Sequence, residues 1–149
     1  MKLQIKEFAE LTGVSVRTLH YYDEIGLLKP SFVDEQNGYR FYDENSLERM
    51  QEILFYRELD FSLKSIAEIL ASPNYDKQKA LAEQKRLLTL KKDRLERLIA
   101  ALEQAEKGEI TMSAFDNSEY EAARQQYEAE AKQRWGATDA YKESQAKTA

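Results

Sequence analysis

Donor-rich side chains cluster early in the chain. Arg17, Thr18, His20 and Tyr21 follow closely on Ser15. On one exposed helical turn this set would suit the edges of nucleic-acid bases. A guanidinium pairs with guanine O6 and N7, and a threonine meets a thymine methyl or a phosphate. A second group, Tyr39, Arg40 and Tyr42, offers hydroxyls and one guanidinium to phosphate oxygens. Tyr22 and Phe41, interleaved with these, read as packing aromatics. Arg40 fits a packing role poorly, because a buried arginine needs a paired carboxylate. His20 reads as a group close to nucleic acid rather than a pH switch, since the sequence names no partner for it.

The surrounding pattern supplies elements to hold these groups. Ile5, Phe8, Ala9 and Leu11 recur at helical spacing, and Thr12-Gly13 stops that helix. Ser15 is placed to cap a second helix from Val16 to about Ile25, with Leu19, Tyr22 and Ile25 as its apolar set. Two short helices across a Gly turn form the helix-turn-helix pattern, although spacing alone fits an ordinary αα-hairpin equally well. Beyond Pro30, Ser31-Phe32-Val33 and Tyr39-Arg40-Phe41-Tyr42 flank Asn37-Gly38, a hairpin signal in which both turn residues tolerate positive φ. This predicts a small two-stranded wing that needs helices to pack on. Asp43 should cap a third helix reaching about Leu59, and Ser62 a fourth ending near Ser72, with Phe61 and Ile66 as a hydrophobic staple.

Residues 76–107 read as one helix about 48 Å long. Leu81, Leu88, Leu95 and Leu102 stand seven apart, and Leu98 lies three residues after Leu95. Such a seam calls for a partner, and coiled-coil dimerisation is the natural reading; a helix folding back on its own domain is the alternative. Gln84 and Lys91 in the seam suit a two-stranded coil with polar register markers. Residues 108–149 are acidic and rich in Ala, Glu and Gln: a linker and tail with one short amphipathic helix, compatible with disorder and too poor in aliphatics to form a domain alone. The division expected is thus 1–75, 76–107 and 108–149. The fold class is mainly α, a winged helix-turn-helix head of four helices plus a β-hairpin wing, followed by a long coiled-coil dimerisation helix.

Composition excludes other chemistries. The chain has no cysteine and a single histidine, which removes disulfides, thiolate metal sites and His-rich metal sites. No Ser/His/Asp order, phosphate-cradling Gly loop or metal cluster marks an enzyme, and no metal or cofactor is expected. No apolar run reaches membrane-span length and no signal peptide is evident, so the expected location is cytoplasmic.

These motifs, in order and spacing, resemble the DNA-binding signature of the MerR family. The resemblance rests on Thr12-Gly13-Val14-Ser15, on Arg17 through Pro30 and on Gly38-Tyr39-Arg40-Phe41-Tyr42, with Phe61 through Leu70 similar to the family's fourth helix. His20 stands where the family often has Arg, a departure similar to the TipA/Mta branch of multidrug- or thiopeptide-responsive regulators. The stretch from Tyr127 to Ser144 looks like the opening of that branch's antibiotic-recognition domain. The resemblance implies a homodimer, joined by an antiparallel coiled coil, that binds inverted repeats in promoter DNA. It implies that the dimer bends and untwists that DNA for RNA polymerase, as an activator. DNA contacts would come from Ser15, Arg17, Thr18, His20, Tyr21, Tyr39, Arg40 and Tyr42, with Ser62 and Lys64 as a second wing. Trp135 and Tyr141 are the candidate contacts for a small-molecule drug if the tail forms part of a ligand pocket; otherwise Trp135 reads as a packing or disordered residue. A repressor or architectural protein of the same fold, or a coiled-coil interaction module, are the competing readings.

The charge balance sharpens this expectation. Overall net charge is −5, and residues 1–75 hold 8 basic against 13 acidic residues. The presumed DNA-binding head is therefore itself acidic. Binding must come from a few placed cations, tyrosine hydroxyls, backbone amides and dimerisation.

Overall fold

Caps and glycine turns decide where each helix begins and ends. In the computed structural model, which describes residues 1–136, strand β1 (Leu3–Gln4) runs directly into α1 (Ile5–Thr12). Gly13 ends α1 in the left-handed region (φ 76°), where its N–H reaches the Ala9 carbonyl at 2.9 Å, a conformation costly for any residue with a Cβ. Ser15 then starts α2 (Val16–Glu24), its Oγ accepting the Thr18 N–H at 3.0 Å. Asp43 starts α3 (Glu44–Glu58) by accepting the Ser46 N–H at 3.0 Å, and the Ser62 Oγ takes the Ser65 N–H at 3.1 Å as α4 (Leu63–Leu70) begins. All three caps stand where the side-chain chemistry placed them.

The described residues separate into two compact units, the first Met1–Ala67 and the second beginning at Glu68. In the first unit, β2 (Phe32–Val33) and β3 (Arg40–Tyr42) form the wing hairpin. The sheet has three strands rather than two. β1 joins the far edge of β3, pairing Leu3 with Tyr42 and Gln4 with Phe41, while Phe32 faces Phe41 and Val33 faces Arg40 on the other side. A two-residue strand abutting a helix shows no period-two pattern, so the sequence hides it. The hairpin turn also differs from expectation. Among the described residues only Gly38 of the Asn37-Gly38 pair takes positive φ (74°), and the Asn37 side chain instead accepts the Tyr39 N–H at 2.9 Å. Phe8, Leu19, Tyr22, Tyr42, Met50, Ile53 and Tyr56 are buried in the core of this unit. Phe8 and Tyr42 stack at 4.3 Å between centroids with a 9° interplanar angle, which fixes α1 on β3.

In the second unit a single helix, α5 (Lys77–Glu106), spans 30 residues after its Asp76 cap. A short 3₁₀ turn (Ser113–Phe115) leads to α6 (Ser118–Ala131), which closes in a wide turn over Lys132–Gly136. α6 packs on α5, burying Ala80, Gln84 and Leu87 of α5 and Tyr120, Tyr127 and Ala131 of α6. Residues 118–136 thus form an ordered helical element.

Replacing Phe8 with Ala removes a fully buried ring and one half of the stack. We expect a stability loss of about 3–5 kcal/mol, read as a lower midpoint in urea unfolding followed by circular dichroism; an unchanged midpoint would show that the stack does not anchor the wing.

Candidate nucleic-acid interface

Helix α2 presents its polar face on one side and buries Leu19 and Tyr22 on the other. Ser15, Arg17, His20 and Tyr21 are exposed, and Thr18 is half-buried. The Ser15 and Thr18 hydroxyls meet at 2.9 Å, so both are engaged in the cap while remaining at the surface. Arg17 has no ion-pair partner among the described residues, which leaves its full guanidinium fork for a ligand.

The wing lies beside this face. β3 alternates: Arg40 and Tyr42 turn toward the helices, while Phe41 turns to Phe32, with the ring centroids 5.9 Å apart. The Lys2 ammonium sits 4.4 Å and 4.5 Å from those two ring centroids, a cation–π contact at the wing that sequence spacing does not reveal. Tyr39, near the wing tip, is exposed. Arg40 is engaged on two sides. Its Nε lies 3.4 Å from Asp23 Oδ2, and its Nη1 meets His20 Nδ1. Asp23 also draws Lys29, whose Nζ is 3.6 Å from Oδ1. The carboxylate that a packed Arg40 would need is therefore Asp23, and the partner that His20 lacked in the sequence is Arg40. Neither pairing has a local signal, since residues 23 and 40 are brought together only by the wing. Gln4, Ile5, Lys6, His20, Tyr39 and Arg40 border a shallow cleft of about 270 Å³ at this junction.

Tyr42 is the clear correction. Its ring is 0% exposed, stacked on Phe8, so its hydroxyl cannot reach a phosphate. The reason is the strand period: Tyr42 faces the helices at core depth, while Arg40, two residues earlier on that face, emerges at the rim. Burial raises the Tyr42 pKa, and the Asp23 carboxylate adds to the rise against the lowering influence of Arg40.

The remaining sequence candidates are placed as follows. The Ser62 hydroxyl caps α4 and donates to Ser65 Oγ at 3.0 Å, while Lys64, the second residue of the helix, is exposed in its first turn. Leu81 and Leu98 are half-buried, whereas Leu88, Leu95 and Leu102 are 38%, 58% and 66% exposed. Gln84, expected in the seam, is instead covered by α6 with neither amide atom partnered among the described residues. Trp135 is 2% exposed, edge-on to Tyr75 with centroids 4.9 Å apart, and offers no open surface to a ligand. Tyr141 lies outside the described residues.

Comparison with known proteins matches this layout. The model of the MerR HTH family regulatory protein matches residues 3–73, and that described as "MerR, DNA binding" matches residues 47–108. The chain is 48% identical over 103 residues to the HTH-type transcriptional activator mta of Bacillus subtilis, covering 69% of this chain and 40% of that protein. It is 41% identical over 154 aligned positions to the HTH-type transcriptional activator TipA of Streptomyces coelicolor, covering 100% of this chain and 60% of TipA. The crystal structure of the HTH-type transcriptional regulator SkgA from Caulobacter crescentus superposes with a TM-score of 0.67 at 36% identity, covering 85% of this chain and 96% of that one. The chain thus spans 40% to 60% of the length of these first two relatives.

Because the Tyr42 hydroxyl is buried without a hydrogen-bond partner among the described residues, Tyr42→Phe is expected to hold or raise stability by up to about 1 kcal/mol. DNA affinity should not change. Wild-type stability contributed by this phenol is complete below the ordinary tyrosine value of 10.0 and falls as pH rises through the raised folded value. Urea unfolding in alkaline buffers should show that loss in the wild type and not in the variant.

Proposed function

This chain belongs to the MerR family, and from that membership we propose that it is a sequence-specific DNA-binding transcriptional regulator acting as a homodimer on inverted repeats in promoter DNA. The observation that carries this reading is the exposed row of Arg17, His20 and Tyr21 on α2 with the wing docked beside it. In a helix-turn-helix the second helix enters the major groove and its first turns meet base edges. Arg17 is the guanine reader. Ser15, Thr18, His20 and Tyr21 take neighbouring edges and phosphates, Tyr39 and Arg40 grip the flanking backbone, and Ser62 with Lys64 meets a further phosphate.

The exposed seam of α5 supports the dimer. Leu88, Leu95 and Leu102 grow more exposed along the helix, and apolar area left in water forgoes about 25 cal/mol per Å². A second copy supplies the matching leucines, so residues 76–107 serve as the antiparallel dimerisation helix between the head, 1–75, and the segment 108–149. Two heads on one rigid pair then fix half-site spacing. Bending and untwisting the DNA between them costs about 1–6 kcal/mol, offset by the phosphate contacts that the bend allows. In this reading the dimer activates transcription by RNA polymerase in the cytoplasm, in response to a drug or thiopeptide. No helix among the described residues is long and apolar enough to cross a membrane. For Trp135 to stack on an effector, the 132–136 turn must first open.

Fluorescence anisotropy of the full chain should show tight binding to an inverted-repeat duplex and weak binding to its scrambled counterpart at moderate salt. Arg17→Ala should cost about 1–3 kcal/mol of binding to the inverted repeat and relax the preference at one base pair of each half-site; equal affinity for both duplexes would refute sequence reading. Sedimentation should give a dimer at micromolar concentration, and Leu95→Lys a monomer. A wild-type monomer would remove the seam argument.

A further inference from the structure

We propose that Arg40, held by Asp23, locks His20 in the tautomer whose Nε2–H is left as the free donor, which makes Asp23 a positioning residue for the DNA-reading face. The inference rests on the DNA-binding reading and adds a residue to it. Its core is a donor–acceptor rule. Arginine has only N–H donors, so the His20 Nδ1 that meets Arg40 Nη1 must be the bare acceptor, and the ring proton resides on Nε2. The exposed ring has no other recorded partner among the described residues, so this N–H is available to a base or phosphate acceptor.

Geometry explains why Asp23 is needed. His20 and Asp23 are three residues apart on α2 and share a helix face. The Arg40 guanidinium spans that face from β3, with Nε toward the carboxylate and Nη1 toward the imidazole. Side-chain exposures of 34% for Arg40 and 21% for Asp23 put the pair at the rim of the head, where DNA would dehydrate and strengthen it. Without the carboxylate, one end of the guanidinium is unanchored and the wing loses a tie to α2. Lys29, 70% exposed at 3.6 Å, is too solvated to act as a substitute tether.

The sign of one substitution separates positioning from plain electrostatics. Asp23→Asn removes a negative charge near the phosphates, and by Coulomb attraction alone it should tighten binding. The clamp requires the opposite. With the duplex that the full wild-type chain selects from a randomised pool, Asp23→Asn should lose about three- to fivefold in affinity, as for a partly exposed ion-pair network. Asp23→Glu should recover most of that loss. On an Arg40→Ala background the same Asn substitution should bring no further loss. Equal or tighter binding by Asp23→Asn overturns the clamp.

A second measurement needs no DNA. The chain has one histidine, so its ring nitrogens are unambiguous in long-range ¹⁵N–¹H spectra at mildly alkaline pH. Nδ1 should resonate as the unprotonated nitrogen and shift in both Arg40→Ala and Asp23→Asn. A proton on Nδ1, or an Nδ1 signal unmoved in both variants, overturns the proposal. A wild-type chain that selects no duplex would instead overturn the DNA-binding reading, while the ring spectra still decide the clamp.

Discussion

The stack of Tyr42 on Phe8 is the contact from which the head is organised. It joins the middle strand of the sheet to the first helix at full burial. Strand β3 is only three residues long, and each residue has its own task. Tyr42 anchors it in the core, Phe41 holds the hairpin partner through Phe32, and Arg40 emerges beside α2. Because strand side chains alternate faces, the depth of Tyr42 sets the height at which Arg40 leaves the core. A slip of one residue would turn Arg40 away from α2 and put an aromatic at the rim.

The acidic head follows the same economy. Its acidic residues outnumber its basic ones, so a diffuse basic field is absent and charge must act locally. Asp23 lies on the very helix that would enter the groove, yet its charge is matched by Arg40 and Lys29. Arg17, by contrast, has no such counter-charge among the described residues. The head thus carries one cation on α2 with its whole guanidinium open to a ligand and another on β3 that is also tied to its neighbours. Both are arginines, suited to those tasks by a planar fork that binds in fixed directions.

What the sequence disclosed follows from range. Ser15, Asp43 and Ser62 cap helices through bonds to residues three positions away, and Gly13 ends a helix through one four positions back, so local spacing suffices. The long leucine helix is equally local in its logic. The Asp23–Arg40–His20 cluster depends on a chain reversal between residues 23 and 40, and no window of sequence contains it as a pattern. β1 was hidden because two residues carry no periodicity. The burial of Tyr42 has no local signal either, because a tyrosine beside exposed polar residues looks the same in sequence whether its ring points in or out. Only the strand's register decides.

The buried amide of Gln84 gives the second unit an uneven character. It is 3% exposed with neither polar atom satisfied among the described residues, a burden of about 1–3 kcal/mol on the packing that covers it. Helix α6 and the turn after it form that covering layer, held by Tyr120, Tyr127, Ala131 and Trp135. Opening α6 rehydrates the amide and returns part of what the lost aromatic contacts had contributed. Local opening of this layer therefore costs less than its aromatic contacts alone would require.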